Sequence, residues 1–168
     1  MTTSAQLRKG ALSNPEVVED DADGALVFTV AGKEFASLDS DARVRLRLRA
    51  AEAGDMAAQY ETAERAGDFV RLPIDDIDGQ ALNHWVRRAW LRCAPPELAA
   101  RASAAEKAGA GEVGDLPKAI GRPATRALAN AGVTTLDQVA GLSDSELKGL
   151  HGVGPRAVRI LREALEAR

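Results

Sequence analysis

Leu147-Lys-Gly-Leu-His-Gly-Val-Gly-Pro-Arg-Ala-Val-Arg-Ile-Leu161 has the pattern of two short helices joined by a tight glycine hairpin. Leu147 and Leu150 are spaced to close the apolar face of one helix, and Ala157, Ile160 and Leu161 to pack a second helix back on it. Gly152-Val153-Gly154 makes the hairpin between them. Its glycines tolerate positive φ and carry no Cβ that would block a phosphate, while Val153 can anchor the turn between the helices. Pro155 suits the first helical position, where no amide donor is lost. The amides of the hairpin and of the second helix's first turn, with the positive end of the helix dipole, then face outward as an anion site. Arg156 and Arg159 can add charge-assisted contacts.

Ile120-Gly-Arg-Pro-Ala-Thr-Arg-Ala-Leu128 aligns with Val153 to Leu161 as a diverged copy. Gly121 and Arg126 fall in matching places, Arg122 one position out of step with Arg156, and Ala119 stands where the first glycine of the pair belongs. Between the copies, Thr135-Leu-Asp-Gln138 and Ser143-Asp-Ser-Glu146 each fit a capping box and so mark two more helix starts. The whole, from about Leu116 to Leu165, resembles paired helix-hairpin-helix domains and the C-terminal domain of the bacterial RNA polymerase α subunit. About five short helices are expected. The resemblance implies contact with DNA through Gly152, Val153, Gly154, Arg156 and Arg159, and through Gly121, Arg122 and Arg126 in the weaker copy. Duplex phosphates would be held without sequence preference.

Bulk properties bound what else the chain can be. The 168 residues are 45% hydrophobic, enough to build real cores, but only 4% aromatic, which leaves few rings for stacking unpaired bases. Net charge is −3, so any DNA contact must be local. Residues 1 to 112 carry 14 Lys/Arg against 19 Asp/Glu, and residues 113 to 168 carry 8 against 6, which makes the C-terminal piece the mildly basic one. A single cysteine, Cys93, excludes an internal disulfide. With no leader-like or long apolar run, a cytoplasmic location and no membrane association are expected.

Two domains are expected, 1 to 100 and 115 to 168, joined by an Ala/Gly-rich linker over 101 to 114 whose glycines suggest flexibility or bending. The N-terminal one reads as α+β. A helix over Ser4 to Leu12 ends before Asn14-Pro15. Strands follow at Ala25 to Val30 and Glu34 to Leu38, joined by the turn-forming Ala31-Gly-Lys33. Arg43-Val-Arg-Leu-Arg-Leu-Arg49 alternates strictly, with three aliphatics on one face and Arg43, Arg45, Arg47 and Arg49 on the other, as in a half-buried antiparallel strand. A helix around Glu52 to Tyr60 and a strand at Phe69 to Leu72 come next. After Asp76 or Asp78 as N-cap, Leu82, Trp85, Val86, Ala89, Trp90 and Cys93 define one apolar helix face. Pro95-Pro96 ends that helix, and Glu97 to Lys107 can restart as another.

Ala11-Leu-Ser-Asn-Pro-Glu-Val, Gly32-Lys-Glu-Phe-Ala-Ser-Leu-Asp39, Val70-Arg-Leu-Pro-Ile-Asp-Asp76 and Trp85-Val-Arg-Arg-Ala-Trp-Leu-Arg-Cys-Ala-Pro95 together resemble the MmcQ/YjbR family. That resemblance spans about residues 5 to 100. It implies a CyaY-like fold, an antiparallel sheet with helices packed on one face, and a DNA-associated role. Glu64-Arg-Ala-Gly-Asp68 departs from the family pattern, in which the loop before the last strand is rich in His and Lys and presents a Trp.

Competing readings stand beside several of these residues. The hairpin could serve only to pack helices or to dock on a protein. The arginine strand is either a second basic surface that tracks phosphates or a solvated face whose cations pair with acids such as Glu34. His84, His151 and Cys93 lack metal-ligand spacing, so no metal and no cofactor are expected. Asp75, Asp76 and Asp78 fit a helix cap better than a cation site, and Trp85 and Trp90 fit a core. Neither a nucleophilic triad, nor paired carboxylates, nor a phosphate-binding Gly-Lys loop is present. The expectation is a bacterial-type, non-enzymatic accessory protein that binds DNA. The alternative is a protein-interaction adaptor in transcription or repair.

Overall fold

The computed structural model describes all 168 residues and is an α+β structure with six strands and eight α-helices. It divides into two compact units, Met1–Pro95 and Pro96–Arg168. All the strands lie in the first.

The sheet is antiparallel, in the order β1-β2-β3-β4-β6-β5. Strand β1 is Val17–Ala22, β2 Ala25–Val30, β3 Lys33–Leu38, β4 Arg43–Arg47, β5 Glu64–Ala66 and β6 Phe69–Pro73. Two-residue turns join the first three strands: Asp23 and Gly24 have φ of 54° and 81°, Ala31 and Gly32 of 50° and 74°. Positive φ at both central positions gives the twist that a tight hairpin needs. Leu26, Leu38, Val44 and Leu72 form one cross-strand row, and Phe28, Ala36, Leu46 and Val70 the next, both turned toward the helices. Val44, Leu46, Val70 and Leu72 are fully buried.

Helices α1 (Ser4–Leu12), α2 (Ala50–Gln59) and α3 (Gly79–Cys93) accompany this sheet. Thr3 begins α1 with a reciprocal capping box, and the Asp78 carboxylate caps α3 by accepting the Ala81 amide at 2.9 Å. The apolar face expected of α3 is buried, with Trp90 fully enclosed and Trp85 nearly so. Trp90 Nε1 donates to the Pro15 carbonyl at 3.1 Å, and Arg87 donates to Asn14 Oδ1 at 2.8 Å while its guanidinium lies 4.7 Å from the Trp90 ring centroid. Together these fix α3 to the segment that follows α1. Glu52 on α2, buried, accepts from Arg88 Nε on α3 at 2.7 Å.

The second unit begins with α4, Pro96–Lys107. The boundary at Pro95 therefore precedes the segment read from sequence as the end of the first domain and the start of a linker. Ala108 to Gly114 is also held in place: Gly111 has φ of 66° and a Cβ there would lie 2.7 Å from Lys118 Cα, while one on Gly114, φ of 55°, would lie 1.8 Å from the Thr134 carbonyl oxygen. These glycines allow close backbone approach within a segment of turns. A 3-10 turn at Lys118–Ile120 leads into α5 (Gly121–Asn130), followed by α6 (Leu136–Ala140), α7 (Asp144–Gly149) and α8 (Pro155–Glu166). Both capping boxes anticipated at Thr135 and Ser143 are formed. Leu116, Ile120, Leu128, Val139, Leu147, Val153 and Leu161 belong to one apolar cluster.

Candidate nucleic-acid interface

The hairpin of the second unit joins α7 to α8 through Leu150-His-Gly-Val-Gly154. Leu147 is fully buried and Val153 is 5% exposed, so the turn is pinned from within by the side chain between its two glycines. Gly152 adopts φ of 105°, a conformation that side-chain-bearing residues rarely take. Gly154 stands at the N-cap of α8 with φ of −92° and ψ of 174°, and Pro155 opens the helix behind it.

Hydrogen bonding leaves this corner rich in donors. The Val153 amide closes the turn onto the Leu150 carbonyl at 3.0 Å, and the Val158 amide returns to the Gly154 carbonyl at 3.1 Å. The amides of Gly152, Gly154, Arg156 and Ala157 find no acceptor in the chain. A Cβ placed on Gly154 would have nothing within 4 Å, so the space beside Gly154 is open, whereas one on Gly152 would meet the Pro123 carbonyl oxygen at 3.0 Å. Lys148, His151 and Arg156 are exposed and form no ion pair, whereas Arg159 is 3.8 Å from Glu163 one turn along its own helix. The acids of α7 are engaged elsewhere. Glu146 accepts the Ser143 amide, which holds its carboxyl below the usual range, and Asp144 takes Arg162 Nε at 2.8 Å.

The diverged copy is built differently. Its positive φ, 84°, sits at Gly121, which aligns with the extended Gly154, while Ala119, aligned with Gly152, lies inside a 3-10 turn. The Gly121 amide is consumed by the Lys118 carbonyl. Arg122 donates to the Glu106 carbonyl at 3.0 Å, and Arg126 is half-buried. The structure thus gives Gly121, Arg122 and Arg126 a local geometry unlike that of the other hairpin.

In the first unit, β4 ends at Arg47, so Arg49 does not share the face of Arg43, Arg45 and Arg47. It starts α2, with its guanidinium 3.8 Å from Glu52. Arg71 of β6 takes its place, directly opposite Arg45. Reading β4 alone could not find Arg71; the alternation in Phe69-Val-Arg-Leu72 was the available signal. Glu64 bridges Arg43 at 3.1 Å and Arg71 at 2.9 Å, and Glu34 lies 3.8 Å from Arg45.

Other reactive groups are placed structurally. Cys93 is buried, which pushes its thiol pKa up despite the nearby Arg47, Arg92 and Lys33. Thr62 donates its hydroxyl to Asp76 at 2.7 Å. An open cleft of about 320 Å³ is lined by Gln59, Asp78, Gln80, Ala81, His84 and Trp85. No three His, Cys, Asp or Glu side chains converge as a metal site would require, and no helix is long and apolar enough to cross a membrane. No family model matches the chain, and no curated protein or solved structure compared with it gives a match.

Proposed function

We propose that this chain is a non-enzymatic DNA-binding protein that grips duplex phosphates, without reading base sequence, through the Leu150 to Gly154 hairpin and the N-terminus of α8. The observation that carries this reading is the set of four amides, on Gly152, Gly154, Arg156 and Ala157, that have no acceptor in the fold, beside a Gly154 that borders open space. Backbone donors at a helix N-terminus favour an anion, and fixed amides position a phosphate without reporting on the base attached to it. Unpaired Arg156 supplies the adjacent charge. The resemblance of this segment to helix-hairpin-helix domains points the same way, as does that of the first unit to the MmcQ/YjbR family. Cytoplasmic location belongs to the same reading.

Fluorescence anisotropy of labelled duplex DNA with the full chain, across a salt series, tests it. Affinity should fall with salt, and Arg156→Ala should flatten the log-log slope by about 0.9, the contribution of one phosphate contact. Binding that is absent at low salt would overturn the proposal. A protein-docking adaptor is the competing reading, favoured by the diverged copy, whose Arg122 is occupied by a backbone carbonyl. Two equivalent DNA-gripping hairpins are not what that geometry supports.

A further inference from the structure

We propose that the open face of the six-stranded sheet docks an acidic, partly apolar polypeptide segment of a partner protein. The cross-strand registers place Asp20, Val27, Ser37, Arg45, Arg71 and Glu64 in one row across all six strands, on the face opposite the buried aliphatic rows. Beside it, Arg47 is opposite Phe69. The guanidiniums of Arg45 and Arg47 lie 4.3 and 4.7 Å from the Phe69 ring centroid. Stacking on a ring holds these long side chains in place.

At the centre of this face the arginines outnumber the acids in contact with them, Asp39 and Asp41 of the β3–β4 turn acting on Arg71 through their field alone. Glu64 is shared between Arg43 and Arg71, and Glu34, although 3.8 Å from Arg45, accepts the Ser37 hydroxyl at a closer 2.8 Å. Arg45 and Arg71 oppose each other directly across β4 and β6, an arrangement of like charges that costs stability. Their side chains remain 39% and 43% exposed, so a carboxylate from outside can reach both. Such a carboxylate matches the planar fork of arginine with two parallel hydrogen bonds.

The rest of the face selects a polypeptide over a nucleic acid. Val18, 62% exposed, stands on it opposite Thr29, and Val27 and Phe69 add further apolar surface. Arginine with aromatic and aliphatic side chains is the composition of a protein interface. Asp20, Glu34 and Glu64 on the same face would repel a continuous phosphate backbone, whereas a segment with spaced carboxylates can place each against an arginine. This inference is independent of the hairpin reading, since it uses the first unit alone.

The test is an NMR titration of the isotope-labelled full chain with three probes: a soluble peptide of glutamates interspersed with leucines, its glutamine counterpart, and a single-stranded thymidine oligonucleotide. The glutamate peptide should shift Ser37, Arg45, Phe69 and Arg71, the glutamine peptide should not, and Arg45→Gln with Arg71→Gln should weaken binding about tenfold. Mapping on the unsubstituted protein keeps the outcome readable even if the double variant folds poorly. Larger shifts on this face from the oligonucleotide, equal shifts from both peptides, or none from any probe would overturn the proposal.

Discussion

A Cβ on Gly152 would lie 3.0 Å from the carbonyl oxygen of Pro123, so the hairpin before α8 meets the first turn of α5 through a residue with no side chain. Gly152 also has φ of 105°, and an alanine there would be strained twice. Gly152→Ala is expected to destabilise the protein by about 1–3 kcal/mol, measured as a lower urea midpoint. Gly154→Ala is different, because φ is −92° and nothing lies within 4 Å. It should cost about 1 kcal/mol or less yet weaken DNA binding, since its methyl enters the open space at the start of α8. Equal losses of stability in the two variants would refute this division of roles.

That division was only half legible in the sequence. Gly-Val-Gly identified a tight turn, and the i, i+3, i+4 spacing around it fixed which faces are buried, because helical periodicity is a local property. That Gly152 meets α5 while Gly154 borders open space depends on a contact across some thirty residues, which spacing cannot report. The same limit applied to the copy at Gly121, whose residues align while its positive φ sits at the other position of the pair. In the first unit, strands with alternating aliphatics were recognisable, but β1 and β5 were not. Glu19, Asp20 and Asp21 have low strand propensity, and Glu64 to Ala66 is three exposed residues; both are edge strands whose charges discourage pairing with another chain. Arg49 was assigned to the arginine face because its alternation continues past Arg47, where the backbone has already turned to begin α2.

Arg162 should matter more than its position on α8 suggests. Its Nη2 donates to the Leu142 carbonyl at 2.5 Å, its Nη1 to the Val139 carbonyl at 3.5 Å, and its Nε to Asp144 at 2.8 Å. One side chain thus satisfies carbonyls at the end of α6 and an acid at the start of α7. Charged donors to carbonyls left partly buried make larger contributions than exposed ion pairs. Arg162→Met, which keeps the aliphatic stem, is expected to lower stability by about 1–2 kcal/mol. Asp144→Asn should cost less, and a reversed ranking in chemical denaturation would place the weight on the ion pair instead.

Ala31 is a site where the protein can be improved. It occupies the first central position of the β2–β3 turn with φ of 50°, which its Cβ disfavours, whereas the equivalent position in the preceding turn is Asp23. Asparagine tolerates this region far better. Ala31→Asn is expected to raise stability by about 0.5–1 kcal/mol, seen as a higher thermal midpoint with an unchanged unfolding slope in urea. No gain would mean that the strands on either side, rather than the turn, set the conformation at this position.

Acid sensitivity provides a test of the bridge on the open sheet face. Hydrogen bonds from Arg71 and then Arg43 hold the Glu64 carboxyl below its ordinary value of 4.5. A carboxyl whose folded pKa is depressed binds fewer protons in the native state than in the unfolded one, so stability rises with pH across that interval. Its contribution is therefore complete above the unfolded value and is lost as pH falls through the folded one. Glu64→Gln should be less stable than the parent near neutral pH, and the gap should close in mildly acidic buffer below about pH 4. Because the pair is exposed, added salt should narrow the same gap at neutral pH. Urea midpoints of both proteins at the two pH values and two salt concentrations measure this. A gap that persists unchanged in acid would show that Glu64 acts there through packing rather than through its charge.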